Sequence, residues 1–481
     1  MDRSVAQGRP ADPRAGSWSN LQSVPWLVPA VGVGFVVLAL AVYTRTLIDR
    51  PYDHFVWQAS AFLEGQAAIR YPVPGNEYYQ DVLPVQPIDG VPRGLIPFPP
   101  LPAIILMPFV AIGGLTTSGQ AVFVGLAALD VGICWWMLGR LPVRFGVRIA
   151  TTAFFAFGTV FWYAAQLNTT WYQAHVAAIG LAMLAVGFAL GADRGAVESA
   201  EPRRGASRDL LAAIRRDGFA VDGRQFLIGL LFGLACTARL TVVFAAPFFV
   251  LVGSGGSWWR RGWSAGLGAA LPVAGLFAYN LATAGDLLHP AYEFLYRAEA
   301  TYYPTLGYNL DWAFEDPRYI PQNLGIMLFS APLLLPDQWP DSLRVVSEPF
   351  CTLPGATRGL FDVDCPLAVP NDIGMSVIFS SPAYLLALLT LTRFRTSRVV
   401  AGSAIAILLI AIVNLMHFSQ GWVQFGYRFS NDFVPWAVIL VALGAEAVVR
   451  RSSGAVLVGG LVVASILINA WGVAWGNLLH W

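Results

Sequence analysis

Lysine is absent from this sequence, so all 30 basic residues are arginine. Any phosphate clamp the chain builds must use guanidinium groups, whose planar fork suits bidentate contact with phosphate. Charge of either sign is scarce: Asp, Glu and Arg make up 12% of the residues, against about 25% in soluble domains. With a net charge of +1 the chain also lacks the basic excess of a nucleic-acid binder. It has no Walker loop, no HExxH, no Gly-x-Ser-x-Gly and no Cys/His metal spacing, which removes support for ATP-driven transport and for hydrolase chemistry. Cysteine is limited to four residues. Cys134 and Cys236 lie in apolar runs and read as packing residues, while Cys351 and Cys365 share a polar stretch.

What the chain has in quantity is apolar sequence: 56% of it is hydrophobic and the mean hydropathy is +0.58. Runs such as 24–44, 375–391 and 455–473 approach the ~20 residues that cross a hydrocarbon core. The reading is an all-α polytopic protein of the cytoplasmic membrane, with roughly 11 (±2) transmembrane helices. Residues 1–22 are polar and carry Arg3, Arg9 and Arg14; they read as a disordered cytoplasmic N-terminus ahead of one transmembrane domain, 23–481.

Orientation follows from arginine, since cytoplasmic loops carry the basic excess. Arg140/Arg144/Arg148, Arg260/Arg261, Arg393/Arg395/Arg398 and Arg450/Arg451 are placed inside, together with the flexible linker 191–224. Loops of about 49–96, 165–174, 284–372 and 416–431 then lie outside. The 225–253 run holds Arg239 at its middle, and a guanidinium in hydrocarbon is expensive, so two short helices are expected to meet there. Residues 95–139 contain two apolar runs but must make one net crossing, which makes the Pro-rich first run re-entrant or interfacial.

Chemistry-bearing residues concentrate in the outer loops. Asp53 lies just beyond the first helix, where a carboxylate could act as general base, hold a metal, or simply be solvated. Arg239 and Arg428 could grip a lipid phosphate through charge-assisted bonds; for Arg428, pairing with Asp432 four residues on is an equal alternative. His175 ends the polar patch NTTWYQAH and could bond a sugar, a phosphate or Asp53, or be a satisfied histidine. Asp81, Gln424 and Tyr427 complete the candidate pocket. Asp130 interrupts an apolar run without an evident partner. The loop tyrosines Tyr78, Tyr79, Tyr292, Tyr296, Tyr302 and Tyr303 suit sugar stacking, but an interfacial aromatic belt is the default reading. Cys351 and Cys365 are expected to form a disulfide, because their loop is placed in an oxidising space; zinc would lack further Cys or His ligands there, and two free thiols are the remaining alternative.

Several segments resemble the GT-C glycosyltransferases, which include protein O-mannosyltransferases and aminoarabinose transferases. The family's acidic residue at the start of the first outer loop matches Asp53 in PYDHFVWQ, and ASAFLEG (59–65) and FPPLPAIILMP follow in similar order. GLLFGLACTARLTVVFAAP, YNLATAGDLLHPAYEFLY and GWVQFGYRFSNDFVP spread the resemblance over nearly the whole chain. A second family carboxylate is not evident, the nearest position carrying His175. The resemblance implies a GT-C-like bundle and inverting transfer of a sugar from a polyprenyl-phosphate donor to a glycan, lipid or protein acceptor on the outer face. Asp53 would be catalytic and Arg239 and Arg428 would bind donor phosphate. A divalent metal is an open option, and membrane lipids and the lipid-linked sugar are the expected partners. A secondary transporter or flippase of lipid-linked sugars is the alternative, though no inverted repeat is visible.

Overall fold

The structure is a computed structural model that describes residues 26–50, 52–71, 79–193, 210–291, 297, 309, 311–339, 349–419, 421 and 423–481. The N-terminal stretch 1–22, the linker's middle (194–209) and the tyrosines Tyr78, Tyr292, Tyr296, Tyr302 and Tyr303 fall outside those residues.

Among the described residues the chain is mainly helical, with seventeen α-helices and five short strands. In chain order, α1 (Leu27–Thr46), α2 (His54–Leu63), α3 (Leu101–Gly113) and α4 (Gly119–Leu138) come first. α5 (Phe145–Phe157) and α6 (Phe161–Leu167) form one apolar rod bent by 49°, and α7 (Thr170–Ala192) follows directly. Next come α8 (Leu210–Asp217), α9 (Gly223–Cys236), α10 (Ala246–Leu251), α11 (Trp258–Ala284) and α12 (Ile320–Phe329). The short α13 (Val377–Ser380) and α14 (Leu385–Leu388) precede α15 (Arg398–Met416), α16 (Val434–Val449) and α17 (Gly454–Leu478). Six of these, α1, α4, α7, α11, α15 and α17, are long and apolar enough to cross a membrane. The architecture is therefore that of a mainly helical membrane-embedded protein.

Local chemistry sets the boundaries. Side chains of Ser118, Asp222, Ser257 and Ser397 accept backbone N–H bonds at the starts of α4, α9, α11 and α15, satisfying donors the helices leave open. The 225–253 run is broken at Arg239, whose backbone is extended (φ −138°, ψ 107°); α9 ends before it, and a 3-10 turn (Leu240–Ala245) and α10 follow. The 375–391 run does not form the single crossing that its hydropathy suggests. It splits into α13, the 3-10 turn Pro382–Tyr384 and α14. Pro382 has no N–H to donate and pushes Ser381 out of the helical region (φ −143°, ψ 71°).

The 49–96 loop contains a small antiparallel sheet ordered β1-β3-β2, from Ile69–Arg70, Leu83–Ile88 and Val91–Leu95. Asp89 and Gly90 both have positive φ (53° and 77°) and turn β2 into β3, as a two-residue hairpin requires. Glu64, just past α2, bonds Arg70 at 2.9 Å and lies 3.8 Å from the buried Arg93, fastening this sheet to α2.

Two polar ends are separated by the length of the same helices. At one end, Asp193 after α7 pairs with Arg398 at the start of α15 (3.0 Å), and Glu446 of α16 lies 3.4 Å from both Arg144 and Arg450. The first turn of α7, the end of α15 and the residues before α16 meet at the other end. The 23 residues of α7 put these ends ~34 Å apart at 1.5 Å per residue.

Candidate functional site

The site is organised by the first turns of α7. Asn168, in the left-handed conformation (φ 39°), closes α6, and α7 begins two residues later. From there four side chains fan out to three different segments. The Thr170 hydroxyl lies 2.8 Å from Nδ1 of His54 on α2. Trp171 donates its indole N–H to Asp81 at 2.9 Å. The Tyr172 ring faces the Arg428 guanidinium, 5.9 Å from its Cζ, and Nδ1 of His175 lies 2.9 Å from Oδ1 of Asp432.

His54 acts as a buried strut. Its Nε2 meets the Gln80 carbonyl at 2.7 Å, an acceptor only, so Nε2 carries the proton and Nδ1 accepts from Thr170. Burial pushes its pKa down to about 4, which keeps the ring neutral over the physiological range. The strut fixes Gln80 and therefore Asp81 beside it. Tyr52, Trp57, Tyr79 and Trp171 pack around the imidazole at centroid distances of 5.3–6.4 Å.

Asp432 is fully enclosed. Arg239 donates to it from Nε (3.0 Å) and Nη2 (2.7 Å), Thr241 from its hydroxyl (2.7 Å) and Asn414 from its amide (3.2 Å). Burial alone would raise the carboxyl, but Arg239 and His175 hold it well below the usual range, so it is ionised. Of the alternatives read from the sequence, the pairing seen for Asp432 is with Arg239, and His175 is satisfied by Asp432. In both cases α7 and the break after α9 present their groups to the turn that precedes α16.

The two arginines are brought together on one ring: Cζ of Arg239 lies 5.5 Å from the Phe429 centroid and Cζ of Arg428 lies 5.2 Å from it. Arg428 also runs across the backbone of Gly421 (φ 107°), where a Cβ would come within 2.6 Å of its Nε. Opposite, Asp81 is buried with a left-handed backbone (φ 56°), and its Oδ1 meets no partner among the described residues. Burial raises its pKa to about 6, against the pull of Trp171 and Arg428. Asp53, at the N-cap of α2, is half-buried and makes no capping bond; burial and then Asp49 raise its pKa as well. Gln424 and Tyr427 are both fully buried; Gln424 is held by the backbone of Asp372 and Ile373, and the Tyr427 ring lies 6.0 Å from that of Phe429.

An apolar cavity of about 600 Å³ opens between α2, α3, α9 and α11, lined by Phe62, Ile104, Met107, Leu234, Thr237 and Tyr279 among others. Thr237 places its wall two residues from Arg239. The Gln58 amide of α2 donates to the hydroxyl of Tyr279, one of its lining residues, at 3.2 Å. Among the described residues no group of three or more His, Cys, Asp or Glu side chains is placed to hold a metal ion. Cys351 and Cys365 are joined in a disulfide away from this site, with Cα atoms 4.5 Å apart. The chain matches no family model, no curated protein and no solved structure.

Sequence reasoning reached Asp81, His175, Arg239 and Arg428 but missed His54, Trp171 and Asn414 as their supports. Asn414 offered a signal, an amide inside the apolar run of α15. His54 and Trp171 carry none beyond membership of polar, aromatic loop ends.

Proposed function

We propose that this protein is a membrane glycosyltransferase of the GT-C kind that uses a polyprenyl-phosphate sugar. One observation carries the reading: two guanidiniums share the Phe429 ring, and the apolar cavity that opens beside α9 ends two residues from the first of them. A lipid tail would lie in the cavity and its phosphate would meet the arginines. Six long apolar helices, or seven spans with the bent α5–α6 pair, support a membrane-embedded helical bundle.

The roles follow from what each group has left to give. Arg239 has committed its fork to Asp432, so Arg428 is the principal phosphate ligand and Arg239 adds charge to the field. In the transfer, the acceptor oxygen bonds to the anomeric carbon, the bond from that carbon to the donor phosphate oxygen breaks, and the electron pair stays on phosphate. Arg428 stabilises that leaving charge. Asp53 takes the acceptor proton, because it is half-exposed and uncommitted, whereas Asp81 is enclosed and tied to Trp171.

Lipids extracted from the purified protein and identified by mass spectrometry test the reading. A polyprenyl-phosphate sugar should co-purify, and Arg428→Gln should lower its retention by about tenfold, the scale of one charge-assisted contact. Absence of any lipid-linked sugar, with no transfer from added donor, would refute it.

A further inference from the structure

The opposite, arginine-rich end of the molecule holds a second cavity. It encloses about 280 Å³ between the loop after α4, the segment before α15 and the last turns of α16. Arg393, Arg450, Ser397 and Glu446 supply its polar lining, and Leu141, Pro142 and Leu443 part of its apolar wall. Glu446 is buried and already engaged: Oε2 accepts the backbone N–H of Arg144 at 2.8 Å, and Oε1 lies 3.4 Å from Nε of both Arg144 and Arg450. It therefore sets the arginines in place and leaves the lining with an excess of positive charge. Arg393 meets no carboxylate among the described residues. The N-terminus of the 19-residue α15 opens at Ser397 and Val399 on the same cavity, adding its partial positive charge.

We infer that this cavity binds a phosphate group, and that the group is the headgroup phosphate of an anionic phospholipid. Two arginines and a helix start give the charge complement. The apolar wall argues for a lipid over a free ion, because inorganic phosphate gains nothing from Leu141, Pro142 and Leu443, while the glycerol region of a lipid can cover them. The position argues likewise. The cavity sits at the ends of membrane-length helices, on the face whose arginine clusters mark the anionic leaflet. This assignment is independent of the sugar-transfer reading, since the two sites occupy opposite ends of α7 and α15.

The test uses the purified full-length chain, with lipid retention measured by native mass spectrometry for phosphatidylglycerol and phosphatidylcholine. The wild type should retain phosphatidylglycerol selectively. Arg393→Gln combined with Arg450→Gln should reduce that retention by about tenfold, given the contribution of each arginine near an anionic surface. Arg395→Gln with Arg451→Gln removes the same charge from arginines that are likewise exposed but lie outside the lining, and should change retention less than twofold, roughly. Because Arg450 is paired, Arg393→Gln alone provides a variant that breaks no ion pair and should still show a loss. Equal loss in both doubles, or no preference for phosphatidylglycerol, overturns the proposal. Displacement of the bound lipid by millimolar inorganic phosphate would support phosphate recognition and assign it to a soluble source.

Discussion

Asp81 combines burial, a left-handed backbone and a carboxylate oxygen without a partner. Its pKa is raised from 3.8 to about 6, so the folded protein holds this proton through a window where the unfolded chain has lost it. Stability from this group is full below about pH 4 and declines as pH rises to about 6, a loss of about 3 kcal/mol for a shift of this size. Asp81→Asn should therefore raise the melting temperature at pH 8 and leave it nearly unchanged at pH 4. A difference that does not vary between those pH values would show that Asp81 ionises freely in the fold. Asp432 has the opposite sign. It is enclosed and ionised against Arg239, so Asp432→Asn strands that guanidinium and should cost about 3–5 kcal/mol, the usual penalty for breaking one side of a buried pair. Thermal unfolding of purified protein measures it, and a change under about 1 kcal/mol would place Arg239 in effective contact with solvent. Asp53→Asn is expected to leave stability intact and abolish transfer, because this half-exposed side chain makes no capping bond. Transfer within twofold of wild type, roughly, would remove Asp53 from the general-base role.

At the scale of elements, hydropathy and arginine position made the helical class and the break at Arg239 legible, because burying a guanidinium in an unbroken apolar helix is costly. The 375–391 run misled, since composition resembles a crossing while Pro382 dictates a break. The β2–β3 hairpin was not expected: Asp89-Gly90 is a two-residue turn signal, but two prolines in β2 hid the strand character. The candidate site was half legible. Polar residues stranded beside apolar runs flagged Arg239, His175 and Arg428, whereas the Arg239–Asp432 pairing spans 193 positions and no local pattern encodes it. The contact of α9 with α11 was hidden for a related reason, as it depends on small residues facing each other across the interface. A Cβ at Gly229 would overlap the backbone of Ala265, and one at Gly268 the backbone of Phe226, while Gly266 faces open space. Gly229→Leu should thus sharply reduce folded yield and Gly266→Leu should not, as judged by size-exclusion profiles in detergent. Equal tolerance of both would mean that the two helices are not packed this closely.

For the molecule as a whole, the assignment of faces decides what each end can do. Sugar transfer from a polyprenyl phosphate on the outer surface requires the end built by α2, α7 and the turn before α16 to face outward. Recognition of an anionic headgroup in the cytoplasmic leaflet requires the arginine cavity to face inward. Both demands call for the same orientation. The native cysteines leave a quiet background for testing it, because Cys134 and Cys236 are buried and Cys351 is bonded to Cys365. Asp89→Cys places a thiol at the exposed hairpin tip, and Ser452→Cys places one in the exposed turn between α16 and α17. A membrane-impermeant maleimide should label the first in intact cells and the second only after permeabilisation. Labelling of Ser452→Cys from outside, with Asp89→Cys protected, would invert the chain. It would put Asp53 and Arg428 on the cytoplasmic side, where the proposed outer-face transfer has no place, and would move the arginine cavity away from the leaflet that its charge suits.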